Sequence, residues 1–175
     1  MNQVLNSNIT SKFTSVNTKK LPAIFSKIDW ETLKDWYKVY EDEPIVLDYG
    51  CGRNPTLAKE YVESFGFKYI GYDPYWLSAQ DNSIAEHCDP HIIVCSNVLN
   101  VIPSWERQRN IHSYIRSITL CYFISVYEGD RSYNGHETKK DCWQWNKPTH
   151  EYLIHHTEKM KKKVISSNLG IVFVK

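Results

Sequence analysis

A chain of 175 residues, 42% of them hydrophobic, is long enough to bury one real core. Its formal net charge of +1 gives no bulk field to draw in nucleic acid. Five cysteines, an odd number with no C-x-x-C spacing, argue against a disulfide framework or a zinc site and for a reducing cytoplasm. No stretch approaches the roughly 18 to 20 apolar residues of a membrane span, and no apolar signal-peptide core opens the chain. With 12 Tyr and 6 Trp there are more rings than a core this small needs, so some are expected to line a groove.

Residues 1–28 contain no acid and are rich in Asn, Ser, Thr and Lys. A disordered tail and a basic arm that folds over a ligand both fit that composition. Residues 1–25 are set apart as this arm, and 26–175 as one domain. Asp29 reads as an N-cap, with Thr32 at the capping-box position. The helix it opens is expected to run to about Tyr40, with Leu33, Trp36, Tyr37 and Tyr40 as its apolar stripe. Glu41-Asp42-Glu43-Pro44 ends it.

Ile45 to Gly52 reads I-V-L-D-Y-G-C-G. This is a strand running into a tight loop whose backbone can approach a ligand closely. In a dinucleotide-binding turn the position two before the first Gly is usually apolar, and a third Gly follows to seat a helix against pyrophosphate. Here that position is Asp48, and Arg53, Asn54 and Pro55 follow instead. A carboxylate there would repel pyrophosphate but suits an ammonium group. A buried strand leaving through an ordinary Gly turn is the competing reading.

Pro55 to Phe65 places Leu57, Ala58, Tyr61, Val62 and Phe65 on one helical face, with Gly66 as C-cap. Tyr69 to Tyr72 is a second strand that ends at Asp73. An acid about 20 residues beyond the glycines is where such folds hold ribose hydroxyls. Pro74 to Pro90 is polar and poorly periodic. A short helix near Ile84 to His87 is the most it predicts, and the usual third strand is left open.

His91 to Cys95 is a strand apolar on both faces. Ser96-Asn97-Val98-Leu99-Asn100 follows it, then Val101-Ile102-Pro103. Trp105 to Ile118 is a helix with Ile111, Tyr114, Ile115 and Ile118 inward. Thr119 to Tyr127 is the strongest β segment. Glu128 to Lys147 reads as a long loop, Thr149 to Met160 as a helix. Val164 to Ser167 and Ile171 to Val174 read as a closing antiparallel hairpin.

Ligands of open α/β sheets bind outside the carboxyl ends of the strands, where strand order reverses. Three strand ends are therefore expected to meet: Asp48-Tyr49-Gly50-Cys51-Gly52, Asp73-Pro74-Tyr75 and Ser96-Asn97-Val98-Leu99-Asn100. Asn97 and Asn100 fit a reacting site and also fit a helix cap or turn. The 128–147 segment carries Arg131, Tyr133, Trp143, Gln144, Trp145 and Asn146. Rings beside amide groups suit a planar base, and Arg131, Trp143, Gln144, Trp145 and Asn146 are the substrate candidates. Tryptophans folded back onto the core are the alternative. His150-Glu151 with His155 and His156 lacks the i, i+4 histidine spacing of a zinc helix, so no metal is expected.

The stretches V-L-D-Y-G-C-G-R, I-G-Y-D-P-Y-W and S-N-V-L-N-V-I-P-S-W-E-R-Q-R resemble class I S-adenosylmethionine (SAM) dependent methyltransferases. They are similar in particular to methyltransferases associated with DNA phosphorothioation and to small methyltransferase-like proteins of bacteriophages. The resemblance covers about residues 45 to 127. It implies a compact Rossmann-like α/β sheet, mostly parallel, with a C-terminal antiparallel hairpin. It implies SAM as cofactor, with the methionine part over Asp48 to Gly52 and the ribose at Asp73. Pro74 and Tyr75 would also touch the cofactor, with Tyr75 or Trp76 against the adenine face, and Ser96, Asn97 and Val98 would flank the sulfonium. Asn97 and Asn100 become the catalytic candidates.

If the chain is phage-encoded, its setting would be the host cytoplasm. The expected methyl acceptor is a nucleobase, nucleotide or nucleic acid. A catalytically silent SAM-fold binding protein and a small-metabolite methyltransferase are the alternatives. The chain is short for a target-recognition domain, which weighs against sequence-specific DNA modification.

Overall fold

The computed structural model of the protein describes residues 20–37, 43–119, 121–139, 142–152, 161–166 and 169–174. The first part of the expected arm (1–19), the end of the first helix (38–40) and most of the 149–160 helix lie outside them, as does the Asn168 turn.

A six-stranded sheet organises the chain. Its strands are β1 (Ile45–Tyr49), β2 (Lys68–Tyr72), β3 (Ile92–Ser96), β4 (Cys121–Tyr127), β7 (Lys161–Ser166) and β8 (Leu169–Val174), in the order β2-β1-β3-β4-β8-β7. The first four are parallel. β8 runs antiparallel to β4 and to β7. No strand forms between β2 and β3, so the expected Rossmann-like sheet lacks its third strand. The chain adds β2 on one side of β1 and β3 on the other, so strand order reverses between β1 and β3, where their carboxyl ends open a crevice.

Strand alternation divides the core into two layers. Leu47, Tyr49, Tyr72, Ile93, Cys95 and Ile124 face one side, where they meet Ile111 and Ile115 of helix α4 (Trp105–Ile118) and Ala85 of helix α3 (Ala79–His87). Val46, Tyr69, Ile92, Val94 and Phe123 face the other, against helices α1 (Trp30–Tyr37) and α2 (Thr56–Glu63). Ile24 and Phe25, grouped with the arm by composition, are fully buried in this second layer. Phe25 stacks near Trp30, whose indole N–H donates to the Phe25 carbonyl at 2.8 Å.

The caps explain where the helices begin. Asp29 accepts from the Thr32 N–H at 3.2 Å and from its hydroxyl at 2.8 Å, as the capping-box spacing predicts. Ser104 accepts from the Arg107 N–H. Ser78 accepts from the Asp81 N–H at 3.1 Å and starts an α3 of nine residues, longer than expected. Its one buried residue is Ala85, so apolar periodicity gives almost no sign of it. The α1 stripe also differs: Trp30 and Leu33 are buried, while Trp36 is exposed. Leu57 of α2 is exposed too, leaving Ala58 and Val62 as its buried face.

The expected 128–147 loop is an antiparallel hairpin, β5 (Gly135–Lys139) and β6 (Cys142–Trp145). Thr149–Tyr152 is a single 3-10 turn. Among the described residues no helix is long and apolar enough to cross a membrane, and no His/Cys/Asp/Glu cluster forms a metal-binding group. All five cysteines are free.

Candidate cofactor site

The glycines after β1 take conformations closed to most other residues. Gly50 has φ 81° and Gly52 φ 74°, in the left-handed region that costs an L-residue with a Cβ. Gly50 also has no room: a Cβ there would stand 2.3 Å from Val98 Cγ2. The loop after β1 thus rests directly on the loop after β3. Its N–H groups at Gly50 and Cys51 donate to the Tyr72 carbonyl at 2.7 and 3.1 Å, tying it to the end of β2.

Asp73 braces the same loop. One carboxylate oxygen accepts from the Gly52 N–H at 3.0 Å, the other from the N–H groups of Tyr75 and Trp76 at 3.0 and 3.2 Å. Burial raises its pKa, and these backbone donors oppose the shift. A carboxylate offers about four acceptor sites, so room remains for one further donor such as a hydroxyl. Asn82 of α3 holds the Asp73 backbone from both sides, accepting from its N–H and donating to its carbonyl, each at 3.0 Å. Pro74 and Tyr75 are exposed. The Arg53 guanidinium lies 5.4 Å from the centre of the Trp76 ring.

Asp48 is only 3% exposed. Its carboxylate accepts from the Tyr69 hydroxyl at 2.7 Å, and no described cation pairs with it. Burial pushes its pKa up to about 7; the Tyr69 hydrogen bond works against this and the nearby Asp73 charge with it. In the sheet Asp48 sits opposite Gly71. That glycine makes room for Cys51, because a Cβ there would stand 2.9 Å from its Sγ. Burial, then the charges of Asp48 and Asp73, push the Cys51 thiol well above its usual range. Tyr49 faces the other layer and stacks on Tyr72 with centroids 5.0 Å apart, so it contributes packing.

After β3, the Ser96 hydroxyl lies 3.2 Å from that of Ser125 on β4, and the Asn97 N–H donates to the Ser125 carbonyl at 2.8 Å. Asn97 has φ 56° and is exposed. It therefore occupies a strained left-handed turn rather than a helix cap. Asn100 falls in a 3-10 turn (Leu99–Val101) and is 2% exposed. Its Nδ2 donates to Gln144 Oε1 at 3.2 Å, while its Oδ1 is buried with no partner. The hairpin thus packs on the segment that follows β3, and the two groups predicted from sequence meet there.

The other substrate candidates divide. The Gln144 amide also donates to the Tyr127 and Trp145 carbonyls. Trp145 packs on the core and donates to the Ile102 carbonyl at 2.9 Å. Trp143 stands edge-on to Trp145 at 5.5 Å, with its buried indole N–H unpartnered. Arg131 instead grips the fully buried Glu128, its Nε and Nη2 at 2.8 and 2.7 Å from Oε2. Asn146 fills the space beside Gly129 at the hairpin base. These two build the hairpin's root.

Sequence reading missed Tyr69, Asn82 and Ser125. Tyr69 gave no local signal, because its place diagonal to Asp48 follows from the β1–β2 register. Asn82 had none while α3 itself was unrecognised.

No protein-family model matches the chain, and no curated protein matches it. Among solved structures it is similar to a crystal structure of a mutant of MtNAS, with 14% identity and a TM-score of 0.44. The match covers 82% of this chain and 58% of that one, so the chain spans less than two thirds of that protein's length. Fold likeness by itself assigns no activity.

Proposed function

We propose that the chain is a SAM-dependent methyltransferase whose acceptor is a nucleobase, nucleotide or nucleic acid. The carrying observation is Asp48: a buried carboxylate with no cationic partner among the described residues, at the mouth of a left-handed glycine loop. Such a charge is costly unless paired, and the ammonium of SAM would pair it. The one acceptor site left on Asp73 suits a ribose hydroxyl. Gly50 and Gly52 supply the left-handed backbone that turns the loop beneath such a ligand.

Bound SAM would supply a methyl group already activated on a sulfonium. The protein then has to align the acceptor, exclude water and accept a proton. In this reading Asn97 and Asn100 face the acceptor, and the hairpin with Trp143 and Gln144 forms the wall that holds it.

A catalytically silent SAM-fold binding protein is the second reading. One observation favours it: the Asn100 and Gln144 amides are turned towards each other.

Calorimetry with SAM tests the cofactor, and micromolar binding is expected, with none for NADH. Gly50→Val should abolish it, since the substitution meets Val98 at a positive φ. Native-like binding by that variant would sink the reading. Methyl-labelled SAM incubated with fractionated cell extract tests the acceptor. Label in nucleic acid or nucleotides supports the proposal. Label in protein or other small molecules reassigns the acceptor, and no label with intact SAM binding selects the silent reading.

A further inference from the structure

Lys147 has no place in the cofactor site, yet its surroundings are among the most constructed in the molecule. The residue is 6% exposed. Its Nζ lies 4.0 Å from the centre of the Trp105 ring, 4.5 Å from Tyr152 and 4.6 Å from Trp145. It also donates to Gln108 Oε1 at 3.1 Å. The groups around it come from separate elements: Trp105 and Gln108 from α4, Trp145 from β6, Tyr152 from the 3-10 turn.

A lysine normally runs its stem along the surface and leaves the ammonium in water. Burying the ammonium is unfavourable unless something replaces that water. Here the replacement is three ring faces and one amide oxygen, the arrangement by which aromatic cages hold alkylammonium ions. The nearby carboxylates have other partners. Glu151 lies against His150 Nε2 at 3.3 Å, and Glu128 is held by Arg131 and Thr149. Burial lowers the Lys147 pKa, with Glu151 acting the other way, as for a desolvated cation without a contact anion among the described residues.

The cage also joins the hairpin to the chain after β3. The Ile102 carbonyl accepts both the Gln108 amide at 2.6 Å and the Trp145 indole N–H at 2.9 Å. Gln108 and Trp145 are thus bound at one oxygen and again through Lys147. Two residues before Ile102 lies Asn100, bonded to Gln144 of the same hairpin.

We propose that Lys147 is a positioning residue: its ammonium is a tethered ligand of the Trp105, Trp145 and Tyr152 cage, and it locks the β5–β6 hairpin onto the segment after β3. The cage is thereby a site for a primary alkylammonium, filled in the native protein by the chain itself. The consequence for turnover rests on the methyltransferase reading; the cage does not.

Lys147→Ala empties the cage. Added butylammonium should then raise the melting temperature of this variant and restore its tryptophan emission. Butanol should do neither, and the native protein should respond to neither compound. Rescue by butanol as strong as by butylammonium would overturn the proposal, because shape alone would then suffice.

Lys147→Met keeps the length and apolar stem without the charge, and serves also if the alanine variant does not fold. Its hairpin amides at 135–139 and 142–145 should exchange with solvent at least about tenfold faster than native, with SAM affinity unchanged. Native exchange rates in this variant would equally overturn the proposal. If methyl transfer is detectable, its acceptor KM should rise more than its kcat falls. If the native protein transfers no methyl group, the exchange and rescue measurements still decide the role of Lys147.

Discussion

Asp48 and Asp73 are two acids treated differently by the fold. Asp73 has three backbone donors, whereas Asp48 has one phenol and a buried surround. The folded pKa of Asp48, about 7, lies above its ordinary 3.8. The folded state therefore holds more protons than the unfolded state between those values. Its contribution to stability is fully present below about pH 4 and is lost as pH rises through about 7. A cation bound beside Asp48 pulls the other way, favouring the ionised form.

SAM binding should therefore release protons below about pH 7 and tighten as pH rises through it. Calorimetry in buffers of different ionisation enthalpy measures both. Asp48→Asn should remove the pH dependence along with most of the affinity; an unchanged pH profile would refute the pairing. Asp73→Ala strands the N–H groups of Gly52, Tyr75 and Trp76. It should cost on the order of 1–3 kcal/mol in stability and weaken SAM binding as well, read by thermal melts and calorimetry on the same samples. A melting temperature equal to native would show that bracing the loop is not what this acid does.

The elements tell apart the two readings of the tryptophans, because β6 carries both kinds. Trp145 packs on the core and is hydrogen-bonded to Ile102, so Trp145→Ala should cost about 3–5 kcal/mol. Trp143 contacts Gly135 and Trp145 within the hairpin and has an unpaired indole N–H. Trp143→Ala should be milder in a melt and should chiefly lower turnover; a loss as large as that at Trp145 would place it in the core instead.

That division was not legible in the sequence. G-H-E-T-K carries no apolar alternation and the one in W-Q-W is only three residues long, so the segment read as a loop. Helix α3 was under-read for a related reason: a serine cap and one buried alanine sustain it, and Ile84 is exposed. By contrast β1, α2, β2 and α4 were legible because each carries its own contiguous pattern. The glycine loop and Asp73 were legible through short-range spacing. Tyr69, Ser125 and the Val98 contact under Gly50 depend on register between strands, which the local pattern does not encode.

At the scale of the whole molecule, the strand order does the assembling. Placing β3 beside β1 rather than beside β2 brings Val98 under Gly50, and pairing β4 with β3 sets Ser125 against Ser96 and Asn97. The sheet's general form followed from the resemblance, since its strands are apolar and well punctuated. The missing third strand was left open by the sequence because the 73–91 segment shows no period of its own. The three loops share hydrogen bonds and contacts, so they should respond to a ligand as one unit.

Hydrogen exchange read by mass spectrometry offers the test. SAM should slow exchange at 50–52, 73–76 and 97–100 together, including the Gly52, Tyr75 and Asn97 amides already bonded in the fold. Amides at 135–139 and 142–145 should change little with SAM alone and slow further only when an acceptor is added, since the hairpin is bonded through Gln144 and Trp145 to the segment after β3. Protection confined to one loop would mean that the three strand ends do not form a single site. Protection of the hairpin by SAM alone would assign it to the cofactor, and the acceptor wall would have to be sought elsewhere.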